Sequence, residues 1–189
     1  MELAEFDIRS IPDNRTIIIY GKDGTGKTTT IERILKACNT THVSFSKRDT
    51  FSEPLLESCI KDRQAGSMPS PNMMVVIDDV LCDIAWSWRP IRSIFLNGMC
   101  MRVGCIITMA YPIKLSPLIT SNTDYLLIFN MATEGDLQQI YTLYALEDLF
   151  KTFDAFKQTK ESTTCIVVAL IHPHRAAYAL KMHLPTINI

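Results

Sequence analysis

Thr16-Ile17-Ile18-Ile19-Tyr20-Gly21-Lys22-Asp23-Gly24-Thr25-Gly26-Lys27-Thr28 is the stretch whose reading decides the fold. Thr16 to Tyr20 is a short β-branched run that stops at Gly21, as a fully buried strand does. From Thr28 the period changes, and Ile31, Ile34, Leu35 and Cys38 follow the i, i+3, i+4, i+7 spacing of a helix. The segment that joins strand to helix, Gly21 to Thr28, fits G-x-x-x-x-G-K-[ST]. Its glycines let the backbone curl until successive N–H groups point at phosphate oxygens, and the helix behind adds its positive N-terminal end. Gly21, Lys22, Asp23, Gly24, Thr25, Gly26, Lys27, Thr28 and Thr29 are therefore expected to cradle ATP. Lys27 is expected to reach the β- and γ-phosphates, and the Thr28 hydroxyl to bind Mg²⁺.

Downstream, Met73 to Ile77 is the most apolar strand candidate, and Asp78-Asp79 closes it. A carboxylate at the carboxyl end of a buried strand faces the crevice where open α/β sheets bind their ligands. Asp78 is expected to hold Mg²⁺ and Asp79 to orient or deprotonate the attacking water, since phosphoryl transfer rests on positioning and charge neutralisation.

The rest of the chain alternates apolar runs with helical patterns, the signature of an α/β fold with a mostly parallel sheet between helices. Strands are expected at 42–46, 103–109, 125–129, 165–171 and 178–182, and residues 65–72 read as a proline-rich surface loop. Leu55, Leu56, Cys59 and Ile60 give one helix, and a second is expected from Pro90 to about Gly98. Thr133 and Asp136 resemble a capping box before a third, which uses Leu137, Ile140, Tyr141 and Tyr144.

The 189 residues are 47% hydrophobic and 21% charged, too apolar for disorder and long enough for one domain, 1–189, with a real core. A net charge of −1 excludes a uniformly basic protein, though not a nucleic-acid binder with local basic groups. None of the six cysteines forms a CxxC pair, and they read as reduced core thiols of an intracellular, soluble protein. The four histidines lack metal-ligand spacing with them, so no zinc site is expected.

Three further segments, together with the two nucleotide motifs, carry a resemblance. They are Arg92-Ser93-Ile94-Phe95-Leu96-Asn97-Gly98, then Ile106-Ile107-Thr108-Met109-Ala110-Tyr111-Pro112, then Leu115, Pro117, Ile119, Asn122, Asp124 and Tyr125. With the Asp78-Asp79 pair and the late stretch Thr163 to Val168, they resemble the genome-packaging ATPases of large nucleocytoplasmic DNA viruses, the poxvirus A32-like branch of the FtsK–HerA class. The resemblance spans roughly residues 10–170. It implies a P-loop NTPase sandwich and an ATP-driven motor, a ring and in particular a hexamer, that pushes double-stranded viral DNA into a capsid during virion assembly. Capsid components would be partners, and the host-cell cytoplasm or virus factory the location. It also implies an arginine that reaches a neighbour's γ-phosphate.

The chain departs from that pattern at three places. The family continues Asn-Gly-Arg-His where Gly98 is followed by Met99-Cys100, has Gln at Ala110, and has Arg at Ser121. No arginine occurs from Val103 to His174, so Arg92 or Arg102 is expected to supply the finger. Lys114 and Lys151 read as ordinary solvated charges, and Trp86 and Trp88 as half-buried packing or a subunit contact rather than a base-stacking platform. His172 to Arg175 is a small basic turn.

Two other readings stand beside the motor. The run Gly21 to Thr29 also looks like the phosphate loop of thymidylate kinases, which add an arginine-bearing lid and an Asp-Arg pair after the third strand. A divergent structural subunit that binds ATP with little hydrolysis is the other.

Overall fold

Five consecutive residues without a polar face can only sit in the middle of a sheet covered on both sides, and β1 (Thr16–Tyr20) is buried along its whole length. In the computed structural model, which describes residues 3–38, 40–46, 53–64, 72–79, 89–171 and 175–180, it is the central strand of seven. The others are β2 (Thr40–Ser46), β3 (Asn72–Asp78), β4 (Val103–Met109), β5 (Tyr125–Ile128), β6 (Cys165–Ala169) and β7 (Ala176–Leu180). Their order is β2-β3-β4-β1-β5-β6-β7. The five from β2 to β5 run parallel, β6 runs antiparallel to them, and β7, antiparallel to β6, runs in the direction of the five again.

The helices are α1 (Lys27–Ala37), α2 (Glu53–Gln64), α3 (Arg89–Met101), α4 (Pro117–Ser121), α5 (Glu134–Leu143), α6 (Glu147–Phe150) and α7 (Phe153–Glu161). Alternation of side chains along each strand sorts the core into two halves. Ile18, Tyr20, Val75, Ile77, Leu126 and Ile128 face α2 to α7. Ile17, Ile19, Met74, Val76, Leu127 and Phe129 face α1 and the N-terminal segment carrying Phe6, Ile8 and Ile11. Each fully buried isoleucine of β1 contributes about 1.5–3 kcal/mol relative to an exposed one, and Ile17, Ile18 and Ile19 have no exposure at all.

Several expectations shift at their edges. Helix α3 runs past Gly98 because the stripe Ile91, Ile94, Phe95 and Gly98 continues to a buried Met101. On α1 only Ile31 and Ile34 of the expected stripe are buried, and Leu35 and Cys38 lie half-exposed along its margin. Asn72 opens β3 instead of ending a loop. The Thr133–Asp136 capping box is formed in both directions. Of the cysteines, Cys105 and Cys165 are core thiols, and burial pushes the Cys165 thiol up to about 12. Cys38 and Cys59 are half-buried and Cys100 is exposed, because these three lie at helix margins where the apolar stripe ends. Cys82, Trp86, Trp88, His172 to His174 and the 65–71 loop lie outside the described residues. No described helix is long and apolar enough to cross a membrane.

Candidate nucleotide site

Parallel register brings the chemistry to one edge. Asp78 at the end of β3 pairs with Thr108 of β4, and Thr108 pairs with Ile19 of β1. One position further, Tyr20 pairs with Met109 on one side and Ile128 on the other. The chain leaves β1 here as a strap across this edge: Gly21 N–H donates to the Met109 carbonyl at 3.0 Å, and Lys22 N–H to the Asn130 carbonyl at 2.9 Å. A side chain at position 21 has no room, since its Cβ would stand 2.6 Å from Phe129 Cβ and 2.7 Å from Thr25 Oγ1.

Gly26 turns the strap into α1 with a φ of 98°, a left-handed value that glycine adopts without penalty. No side chain caps the helix. Thr30 N–H is the first to bond back, to the Gly26 carbonyl at 3.0 Å. The N–H groups of Lys27, Thr28 and Thr29 therefore have no intrahelical acceptor, and they point with the positive end of α1 toward the strap. This is a ready anion site. Lys27 stands over it although its side chain is 93% buried, with Nζ donating to the carbonyls of Gly21 at 2.6 Å and Lys22 at 3.3 Å. Asp23, which is 80% exposed, approaches the same ammonium at 3.7 Å.

The acidic half lies on the β4–β3 side. Thr28 Oγ1 donates to Asp78 Oδ2 at 2.9 Å, and Thr108 Oγ1 donates to Asp78 Oδ1 at 2.6 Å. The Thr108 hydroxyl also accepts from Asp79 N–H at 2.9 Å, so one side chain fixes both members of the acidic pair. Asp79 leaves the strand at φ 56°, a left-handed turn that aspartate tolerates better than most residues. The donor set fits Mg²⁺: a hydroxyl and a carboxylate oxygen lie side by side, both hard ligands, with no arginine or lysine bound to the carboxylate among the described contacts.

Thr108 has no assigned role in the sequence reading. The signal for it was there: a hydroxyl in an otherwise apolar strand, Val103-Gly104-Cys105-Ile106-Ile107-Thr108-Met109. Only the register reveals that it meets Asp78.

Other expected positions are distributed over the molecule. Ala110 follows Met109 directly and sits half-buried beside the strap, where it offers only a methyl. Ser121 ends α4, and Arg102 precedes β4, so both belong to the opposite edge of the sheet. Arg92 is exposed on the first turns of α3, in a cleft shared with Glu57, Lys61 and Arg89 of α2 and α3, and is not among the strap residues. Asp124 also stands at the opposite edge, accepting from Thr16 N–H at 2.9 Å, Thr16 Oγ1 at 3.0 Å and Arg15 at 3.3 Å. Arg175 is engaged by Asp148 at 2.8 Å and by the Tyr144 carbonyl at 2.6 Å, which staples β7 to the α5–α6 corner.

A strand-to-helix strap at the centre of a parallel sheet, with an Asp at the end of the strand two places away, is the decisive observation. The fold is that of a P-loop NTPase. A family model for the ATPase family associated with various cellular activities (AAA) matches residues 17–81, from β1 to just beyond the acidic pair. Among solved structures, the genome packaging NTPase B204 of Sulfolobus turreted icosahedral virus 2 in complex with ATPγS superposes with a TM-score of 0.66, over 91% of this chain and all of that one, at 11% identity. The cytoplasmic domain of the type VII secretion ATPase EccC of Thermomonospora curvata matches 87% of this chain and 25% of its own, at TM-score 0.55 and 12% identity. In sequence, the chain is 24% identical over 180 residues to the uncharacterized protein 075L of Invertebrate iridescent virus 6, covering 82% of this chain and 68% of the relative. It is 22% identical over 203 residues to the uncharacterized protein L437 of Acanthamoeba polyphaga mimivirus, covering 88% and 71%.

Proposed function

We propose that the chain is a single ATP-hydrolysing domain, 1–189, that works as a motor for packaging viral double-stranded DNA into a capsid. The observation that carries the ATPase part is the meeting of Thr28, Asp78 and Thr108 within hydrogen-bond distance, next to a buried Lys27 over an uncapped helix start. The DNA-packaging part rests on the resemblance of residues 10–170 and on the likeness in fold to a viral packaging NTPase.

In this reading Gly21 and Lys22 anchor the strap through their bonds to Met109 and Asn130, Asp23, Gly24, Thr25 and Gly26 shape the cradle, and the N–H groups beyond Lys22, up to Thr29, bind the β- and γ-phosphates. Lys27 exchanges its carbonyl partners for phosphate oxygens and neutralises charge as it develops. Thr28 and Asp78 would hold Mg²⁺, which when bound neutralises charge on the phosphates. Asp79 orients the attacking water and takes its proton. Thr108 holds the Asp78 carboxylate and the Asp79 backbone in place. A second protomer supplies the arginine; Arg92 is the candidate, since it is exposed and bears on a cleft open to a neighbour. Self-association into a ring, a hexamer by the resemblance, would bring that arginine to a neighbour's nucleotide. Capsid components are the further partners, and the site of action is the cytoplasm or virus factory of the host cell.

One observation favours a weaker variant of this reading. Ala110 places a methyl beside the strap where the resembled family has an amide, which suits a subunit that binds ATP and turns it over slowly.

Steady-state hydrolysis with and without double-stranded DNA tests the motor. Stimulation by DNA of several-fold is the expected result. Turnover indifferent to DNA contradicts DNA coupling, and ADP release that depends on added dTMP replaces the motor with a nucleotide kinase.

A further inference from the structure

The strap after β1 is built to hold anions, and yet it carries a carboxylate. Asp23 follows Lys22 in the loop, and its Oδ1 stands 3.7 Å from Lys27 Nζ. No bond that shapes the loop uses that side chain. Gly21 N–H and Lys22 N–H tie the strap to Met109 and Asn130, Thr25 Oγ1 donates to the Lys22 carbonyl at 2.8 Å, and Gly24 and Gly26 make the left-handed turns at φ 77° and 98°. Among the described residues Lys27 is the only hydrogen-bond or ion-pair partner of the Asp23 side chain. The apex of the loop beside it is open, since a Cβ at Gly24 would meet nothing within 4 Å. A charge of the wrong sign, kept where the fold has no use for it, has its use in binding.

The charges along the strap show which binding. The Lys27 ammonium donates to the Gly21 and Lys22 carbonyls at 2.6 and 3.3 Å, and Asp23 is its one charged neighbour. Asp78 and Asp79 close β3 beside the start of α1, with Thr28 Oγ1 donating to Asp78 Oδ2 at 2.9 Å. Three acidic residues therefore accompany one buried lysine, and the exposed Lys22 is the only other cation from Gly21 to Thr29. A triphosphate that enters takes Lys27 from Asp23 and then lies within a few ångström of the released carboxylate, where like charges repel. A bound Mg²⁺ cancels two of the triphosphate's charges. Repulsion by Asp23 therefore falls hardest on the nucleotide that comes without the metal.

We propose that Asp23 is a specificity-determining residue of the phosphate loop: its carboxylate holds the Lys27 ammonium until nucleotide arrives, and its charge then admits a nucleoside triphosphate as the Mg²⁺ complex and turns away the free polyanion. The proposal rests on the phosphate-loop reading above, and the two fail differently. A chain that binds ATP in no form removes the loop. A chain whose preference for the Mg²⁺ complex is indifferent to the charge at position 23 removes only the selection.

Asp23 is 80% exposed, so Asp23→Asn and Asp23→Glu alter charge and length without touching the core. The test is calorimetric titration of the nucleotide-free chain with ATP, once with excess Mg²⁺ and once with EDTA, read as the ratio of the two dissociation constants. In the wild type the ratio is expected to favour the Mg²⁺ complex. Asp23→Asn is expected to tighten free ATP about fivefold or more, the weight of one like-charge contact near a protein surface, and the Mg²⁺ complex by less, so that the ratio narrows. Asp23→Glu keeps the charge and is expected to keep the ratio. Raising KCl from about 0.05 to about 0.5 M is expected to narrow the wild-type ratio more than that of Asp23→Asn, because salt screens an exposed charge. A ratio that Asp23→Asn leaves unchanged overturns the proposal, and so does one that Asp23→Glu narrows as far, since loop shape and not charge would then set it. Wild-type protein that binds ATP in neither condition removes the phosphate-loop reading and the selection with it.

Discussion

Two aspartates at opposite edges of the sheet, Asp78 and Asp124, each accept from a threonine hydroxyl, and their other partners set them apart. Asp124 takes a backbone N–H from Thr16 and a guanidinium from Arg15, groups that no ligand displaces. It locks β1 to the start of β5. Asp78 takes two hydroxyls, from Thr28 and Thr108, and no cation among the described contacts. Hydroxyls can share a carboxylate with a metal ion, and an unpaired negative charge attracts one. The same residue type is a latch at one edge and a reaction site at the other, and the partners decide which.

Lys27→Ala breaks the reactive edge most completely. Hydrolysis is expected to fall at least about 100-fold, the scale of losing one positioned donor to developing charge, with the thermal midpoint little changed. Asp79→Asn is expected to lower turnover by about 10² or more, the scale of a general base, while equilibrium ATP binding persists; a variant that binds no ATP gives Asp79 a different role.

Thr108→Val sharpens the contrast from the side of the partners. It removes the donor to Asp78 and the acceptor for Asp79 N–H together. A metal-site support of this kind is worth about 10–100-fold, read as the Mg²⁺ concentration needed for half-maximal turnover. Asp124→Ala is the smallest in effect on activity and the control for the comparison. It leaves the Thr16 N–H without its acceptor at a cost of about 1–3 kcal/mol, so the midpoint is expected to drop by several degrees. ATP affinity at 25 °C is expected to stay unchanged. A loss of ATP affinity in Asp124→Ala larger than in Thr108→Val reverses the assignment of the two edges.

The reactive edge was the more legible of the two. Gly21 to Thr28 announces itself because phosphate binding needs residues that no ordinary turn combines, and Asp78-Asp79 because charge after five apolar residues has few other uses. Thr108 was legible only as a lone hydroxyl in an apolar strand, and its role was not. That role depends on which strand lies beside which, and sequence spacing does not carry it. The short helices α4 and α6 escaped for a related reason: four or five residues hold too little periodicity to stand out. Arginine placement was the least legible. Arg102 was a candidate on type alone, and the structure puts it at the edge where Asp124 lies.

The measurement that tests the central claim most directly is steady-state Mg²⁺-dependent ATP hydrolysis by the purified chain, with Lys27→Ala alongside. The account predicts turnover in the wild type and none above background in the variant. Equal turnover in both, or tight ATP binding by the wild type with no release of phosphate, contradicts it.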